Sequence, residues 1–308
     1  MDIAANAGIT LRYDVGSKRK RDPFDFRFVV APIGQFQTMV ATINGLLTDV
    51  HFFVIKTKDF EGVKVDAQTT DGSTALKQTL TCSVELPDGV EEVTFCVNVS
   101  ELYTRIKNGN ATALEIIRYT GMDKLTITYP NARPRREFTL RTLTKTLEDN
   151  RMFDIDTDIT VQSNLAEFKE ITRDFQKWGG EVVGISIRTT PEDVDPTKHS
   201  FLLLTSVSDA GTSTVTYHSN YQVTDSGEFQ VLTDKSSSEN YDKALKKSVV
   251  KFSEEFNILM INNFLKGIDK GKIWLGLNAN GPLIIEYSLG NENSKMRLIL
   301  APKDDDDE

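Results

Sequence analysis

The chain has 308 residues, 39% hydrophobic and 26% charged, which excludes an intrinsically disordered protein and allows two domains of ordinary size. Its net charge of −9 argues, taken alone, against a nucleic-acid binder, because phosphate contacts need lysine and arginine, yet a sum does not say whether the bases gather on one face. No apolar run reaches the ~18–20 residues of a membrane span, the opening MDIAANAGITLRYDV does not read as a secretory signal, and two cysteines, Cys82 and Cys96, suit a reducing compartment better than a disulfide scaffold.

Residues 1–24 are polar and carry Lys18-Arg19-Lys20-Arg21. They read as a flexible tail, with a nuclear-import signal or a nucleic-acid arm as the second reading. A first domain is expected over 25–141. It opens with the strand RFVVA and a helix from Gly34 to Asp49, whose Phe36, Met39, Val40, Ile43 and Leu47 recur at helical spacing. Strand-like runs HFFVIKT, GVKVDAQ, ALKQTLTCSVE and EVTFCVNV follow, then a short helix from Ser100 to Asn108, then ALEIIRY, KLTITYP and REFTLRT.

After a connector at 142–157 the order repeats over 158–303. DITVQ leads to a helix from Asn164 to Trp178, and EVVGISIR, SFLLLTSV, STVTYHSNY and EFQVLT lead to a helix from Ser253 to about Lys266. KIWLGLN, PLIIEYSL and KMRLILAP follow, and an acidic tail occupies 304–308. The order recurs without the letters, and its strand-rich, non-alternating character predicts an α+β fold with antiparallel sheets. Gly179-Gly180-Glu181-Val182-Val183-Gly184 stands after a helix and before a strand, the wrong order for a nucleotide loop, and reads as a helix C-cap. No zinc-type Cys/His spacing, HExxH, GxSxG or phosphate-cradling loop occurs.

The helix NLAEFKEITRDFQKW sorts its charges by side. At ~100° per residue, Leu165, Phe168, Ile171, Phe175 and Trp178 form one stripe, while Lys169, Arg173 and Lys177 form another nearly opposite. Glu167, Glu170 and Asp174 lie between them, so a solvated helix laced with salt pairs is one reading and a row of ligand-facing cations the other. The helix at Ser100–Asn108 exposes Arg105 and Lys107. The helix at Gly34–Asp49 sets Gly34, Gln37, Thr38, Ala41, Gly45 and Thr48, all uncharged, against its apolar stripe. Lys266 ends the last helix, where a cation also complements the helix dipole.

Three stretches resemble the proliferating cell nuclear antigen (PCNA) family of sliding clamps. PLIIEYSL, a turn, a strand ending in LAPK and an acidic tail resemble that family's C-terminus. AEFKEITRDF followed by EVVGISI resembles the opening of its second domain, and CVNVSELYTRIK resembles the second helix of its first. The resemblance spans roughly Phe26 to Glu308 and is strongest after Thr160. It implies two similar clamp domains, with antiparallel sheets outside and two helices each lining the channel of a homotrimeric ring. Such a ring is non-enzymatic, has no cofactor, threads double-stranded DNA without reading sequence, and is opened by a clamp loader. DNA polymerase and other proteins with a clamp-binding motif dock on it, in the nucleus or at a viral replication site. The divergent first half and the basic tail suggest a large DNA virus or a divergent eukaryote.

Carried over by position, Arg173 and Lys107 match channel cations of the family and Lys266 matches one within a position. Lys169 and Lys177 share Arg173's face by periodicity, and Arg105 accompanies Lys107. The family's lysines on the first helix have no counterpart. Subunit contacts are expected from the strands Arg135–Arg141, with Phe138 and Leu140, and Thr212–Ser219, with Val215 and Tyr217. Phe175 and Trp178 have two readings, subunit contact and core. The partner-peptide pocket is expected at Pro282, Ile299, Ala301, Pro302 and Lys303, with Leu147, Met152 and Phe153 from the connector. Two rivals remain: a clamp-fold protein used as a checkpoint-type heteromeric clamp or transcription co-activator, and an enzyme using Asp154 and Asp156 with a metal.

Overall fold

The computed structural model describes residues 23–107, 111–146, 155, 157–190, 200–219, 228–230, 244–278 and 281–303. They form two compact units. One comprises 23–67 and 76–146 with the segment Ser288–Met296; the other comprises Gln68–Ala75, 155–287 and 297–303.

In the first unit the order is β1 (Phe24–Val30), α1 (Ile33–Asn44), β2 (Asp49–Lys56), β3 (Glu61–Gln68), β4 (Thr74–Thr81), β5 (Ser83–Glu85), β6 (Glu92–Asn98), α2 (Val99–Ile106), β7 (Leu114–Tyr119), β8 (Lys124–Tyr129) and β9 (Arg136–Arg141). One sheet runs β5-β1-β7-β8-β9, and a second ladder runs β4-β3-β2-β6. Alternate residues of β1 and β2 are buried, as a half-buried strand requires. Their inward aromatics meet in a continuous cluster. The ring centroids of Phe26 and Phe95 are 5.0 Å apart, those of Phe52 and Phe95 5.3 Å, and Phe36 of α1 stands edge-on to Phe28 at 6.0 Å. All five phenylalanines are 0–3% exposed, so this cluster is where both sheets and α1 bury their apolar faces.

The second unit repeats the order: β10 (Ile159–Asn164), α3 (Leu165–Lys177), β11 (Val182–Thr189), β12 (Ser200–Ser208), β13 (Gly211–Ser219), β14 (Glu228–Gln230), β15 (Val249–Asn257), α4 (Ile258–Lys266), β16 (Lys272–Leu277), β17 (Leu283–Asn291) and β18 (Ser294–Leu300). One sheet contains β14-β10-β16-β17 and the other is β13-β12-β11-β15. Strand for strand, β10, β16 and β17 take the places of β1, β7 and β8. The ladders β1–β7–β8–β9, β3–β2–β6, β10–β16–β17 and β13–β12–β11–β15 are antiparallel, whereas β10 with β14 is parallel where its counterpart β1–β5 is antiparallel. The α+β class expected from the sequence is the class observed.

Two elements differ from the expectation. The first helix ends at Asn44, not Asp49: Gly45 caps it, and Asp49 already pairs with Asn98 in the β2–β6 ladder. The second unit's last helix begins at Ile258, not Ser253. Residues 253–257 belong to β15 and pair with β11 from Ser186 to Val182. Phe252 and Phe256 are the buried side chains of β15, and a spacing of four satisfies a strand as well as a helix. Asn257 decides the boundary, since its Oδ1 accepts from the Leu259 and Met260 N–H groups and caps the helix there.

Candidate nucleic-acid interface

In the first unit the cations sit at the end of α2. Asn98 starts this helix by accepting from the Glu101 N–H at 3.0 Å, and Val99, Leu102 and Ile106 anchor it inward. Lys107 follows the last turn and is exposed, its Nζ 5.9 Å from the centre of the Tyr103 ring. Arg105 is only half exposed, contrary to expectation, and its buried Nε has no partner among the described residues. On the uncharged face of α1, the Gln37 Nε2 donates to the Ile106 carbonyl at 2.7 Å and so closes the C-terminus of α2.

In the second unit α3 is capped by Asn164 Oδ1, which accepts from the Ala166 and Glu167 N–H groups. Leu165, Phe168, Thr172 and Phe175 are its buried residues. The three cations of its outer stripe behave differently. Arg173 is exposed and makes no ion pair among the described residues. Lys177 is exposed and pairs with Asp174 at 2.8 Å, one turn back. Lys169 is half-buried and donates its Nζ to the Ile268 carbonyl at 2.7 Å, so it does not stand free beside Arg173 as the periodicity predicted. Burial first, and the charge of Arg173 second, lower the pKa of this amine.

The helix α4 packs beside α3 through polar contacts that the sequence did not reveal. Thr172 Oγ1 donates to Asn262 Oδ1 at 2.7 Å, and the Asn262 amide donates to Gln176 Oε1 at 2.8 Å. Lys266 is exposed in the last turn of α4, as expected, while Leu259 near its start is 47% exposed.

The C-terminus of α3 shapes a cleft. Gly179 has a φ of +87°, and the Gly180 N–H reaches back to the Phe175 carbonyl at 3.0 Å, the pattern expected of a glycine C-cap. A Cβ on Gly180 would stand 2.1 Å from Ser206 Oγ, so glycine is required there. Past this turn Trp178 is 57% exposed, its ring 6.4 Å from that of Phe175. With Gly180, Ser206, Ser208 and Thr212 these rings border a cleft of about 180 Å³. Phe175 itself is 2% exposed and belongs to the core, whereas Trp178 does not.

Among the described residues the sheets end on β5 and β9, on β14 and β6, and on β13 and β15. Among the described residues β9 pairs with β8 alone and β13 with β12 alone. On β9 Phe138 is half-buried, edge-on to Tyr129 at 6.0 Å, and Leu140 is 1% exposed. On β13 Val215 is half-buried and Tyr217 is 6% exposed, its hydroxyl buried without a partner among the described residues. Leu140 and Tyr217 therefore serve the core of their own units. Their backbones, rather than their side chains, are what the edges offer.

At the expected peptide pocket, Ile299 is 9% exposed, Pro282 and Pro302 are half-buried, and Ala301 and Lys303 are exposed. The Ala301 N–H donates to the Ser73 carbonyl at 2.9 Å and the Lys303 N–H to the Glu255 carbonyl at 2.8 Å, which fixes this exit segment. Leu147, Met152 and Phe153 lie outside the described residues, as do Asp154, Asp156, residues 1–22 and the acidic tail; Phe24, expected in the N-terminal tail, instead begins β1. Among the described residues no three His, Cys, Asp or Glu side chains gather to hold a metal, and no helix is long and apolar enough to cross a membrane.

No family model matches the sequence, and no curated protein does. Solved structures do match. The proliferating cellular nuclear antigen of Entamoeba histolytica superimposes with a TM-score of 0.68 at 15% identity, over 91% of this chain and 100% of that one. The chain has the PCNA clamp fold. The PCNA2–PCNA3 complex of Sulfolobus tokodaii contains a chain matched with a TM-score of 0.64 at 14% identity, over 90% of this chain and 99% of its own length. At these identities the shared property is the fold.

Proposed function

We propose that the protein is a DNA sliding clamp: a non-enzymatic ring that encircles duplex DNA and tethers a polymerase and other replication proteins to it. The observation that carries this reading is the placement of exposed cations on or capping helices of a PCNA fold whose net charge is −9: Lys107 at the end of α2, Arg173 and Lys177 on α3, Lys266 on α4. A ring that holds DNA by topology needs only weak, sequence-blind phosphate attraction, and a tight grip would stop it sliding. Few inward bases suffice, and acid elsewhere discourages DNA from binding outside.

Ring closure follows from the edges. β9 of one copy adds to β13 of the next, which removes both open edges, and Phe138 enters the cleft beside the next copy's Trp178. Three copies close a homotrimer. Partner proteins dock an apolar and aromatic motif beside Pro282, Ala301 and Pro302, with the connector residues Leu147, Met152 and Phe153 completing the pocket. A loader opens the ring. A heteromeric clamp is the second reading, favoured by the Sulfolobus neighbour, a complex of two different PCNA chains; checkpoint or co-activator roles belong with it.

Light scattering on the purified protein tests the assembly. A mass about three times the 34.5 kDa chain supports the homotrimer, and a stable monomer favours the heteromeric reading. For DNA encirclement, Arg173→Glu with Lys177→Glu should reduce stimulation of a polymerase on long templates without changing the ring mass. Undiminished stimulation counts against DNA-facing roles for these two residues.

A further inference from the structure

The first unit is short of exposed helical cations, since α1 has none and Arg105 is half-buried, leaving Lys107. The β8–β9 hairpin supplies another. Arg136, the first residue of β9, stands directly opposite Tyr129 in the ladder, and opposite residues of an antiparallel pair share a face. The face is fixed by Tyr129, which is 1% exposed and donates its hydroxyl to the Arg105 carbonyl at 2.8 Å in the last turn of α2. Arg136 therefore emerges on the helix side of the sheet, next to the turn that carries Arg105 and Lys107. It is exposed, and no carboxylate pairs with it among the described residues.

Its neighbour Arg135, exposed as well, differs in the face it takes and in having a carboxylate partner. Arg135 borders a groove on the other face of the same sheet with Glu85, Glu115 and Glu137, and its guanidinium lies 3.8 Å from the Glu137 carboxylate. Two adjacent arginines thus point to opposite sides, one towards acids and one towards bases.

We propose that Arg136 is a phosphate contact, forming with Lys107 a two-cation site for the backbone of duplex DNA, so that the sheet as well as the helices touches the nucleic acid. The inference rests on the clamp reading and extends it to a residue that the sequence placed only in an edge strand. A guanidinium presents paired donors matched to phosphate oxygens, and unpaired like charges around it favour an anion. The competing occupant is an acidic segment of a second copy packed on β9.

The test is the salt dependence of binding to a fluorescein-labelled duplex oligonucleotide, followed by anisotropy from about 50 to 200 mM salt. Arg136→Ala and Lys107→Ala should each lower the log–log slope by about one, the loss of one phosphate contact. Arg135→Ala, which removes the same charge from the opposite face, should leave the slope unchanged, and Arg136→Lys should retain most of it. Equal losses for Arg135→Ala and Arg136→Ala would reduce the effect to net charge and overturn the proposal. An unchanged slope in Arg136→Ala with a fall in oligomer mass would overturn it in favour of the subunit contact. If Arg173→Ala weakens binding while Arg136→Ala does not, this inference alone fails. If the unaltered protein does not bind the duplex even at about 50 mM salt, this inference fails, and the clamp reading fails with it only where stimulation of a polymerase on long templates is absent as well.

Discussion

Tyr129 donates its hydroxyl to the main-chain carbonyl of Arg105 at 2.8 Å and so joins the edge hairpin to the end of α2. The Ile106 carbonyl beside it is satisfied by Gln37, so two carbonyls that a helix end leaves without partners are closed by side chains from two other elements. Tyr129→Phe removes one bond at a buried site and should cost about 1 kcal/mol of stability. Chemical denaturation checks this, and a midpoint equal to that of the unaltered protein would mean the bond contributes nothing.

The phenols also predict an alkaline limit. Burial raises the pKa of Tyr129, and burial with the nearby Glu167 carboxylate raises that of Tyr217. In the unfolded chain a phenol loses its proton near pH ~10. A raised folded pKa means the fold holds the proton longer, so the contribution is fully present below pH ~10 and is lost as pH rises above it. Stability should therefore fall above that pH. Tyr217→Phe should flatten part of the fall and, because the Tyr217 hydroxyl is buried without a partner among the described residues, should raise stability at neutral pH by up to about 1 kcal/mol. A marked loss of stability in Tyr217→Phe would reveal a partner for that hydroxyl and defeat the prediction.

What the sequence made legible and what it hid separate along physical lines. The amphipathic stripe of α3 was readable because Leu165, Phe168 and Phe175 repeat at helical spacing and are buried. Trp178 lies on the same stripe by angle, yet the glycine turn at Gly179 ends the helix there and leaves the ring exposed, since periodicity holds only while the helix lasts. The strand β15 escaped because Phe252 and Phe256 fit two periods at once. Lys169 was assigned by the direction of its Cβ, but a four-carbon stem lets the amine travel, and it went to the Ile268 carbonyl. The Tyr129–Arg105 and Thr172–Asn262 bonds join residues 24 and 90 positions apart, and no local pattern encodes such pairs.

Thr172 and Asn262 hold α3 beside α4, and Thr172 is 0% exposed. Thr172→Val keeps the shape and removes the hydroxyl, leaving Asn262 Oδ1 without its donor. A loss of about 1–2 kcal/mol is expected. If the variant unfolds at the same denaturant concentration as the unaltered protein, the pair contributes no stability.

Lys169 and Arg173 should separate in a binding measurement. The Lys169 amine is committed to a carbonyl, whereas Arg173 has no ion-pair partner among the described residues. Arg173→Ala should weaken duplex binding clearly more than Lys169→Ala at low salt. It should also raise the pKa of Lys169, because the second cause of the depression disappears while burial remains. NMR titration of the lysine side chain reads that direction, and an unmoved or falling pKa would contradict the proximity of the two charges.

The cleft beside Trp178 bears on assembly. A tryptophan left 57% exposed at a helix end, next to a groove of about 180 Å³ and an edge strand, fits the proposed subunit contact. Trp178→Glu places a charge in the proposed contact and gives up only the ring contact with Phe175, whose own side chain stays in the core. The expected result is a fall from an oligomer to the 34.5 kDa chain, with circular dichroism and melting nearly unchanged. Phe138→Ser, on the opposite edge, should do the same from the other side, although its packing on Tyr129 predicts a small loss of stability as well. An oligomer that persists in both variants would exclude β9-to-β13 closure and leave Trp178 to a different partner.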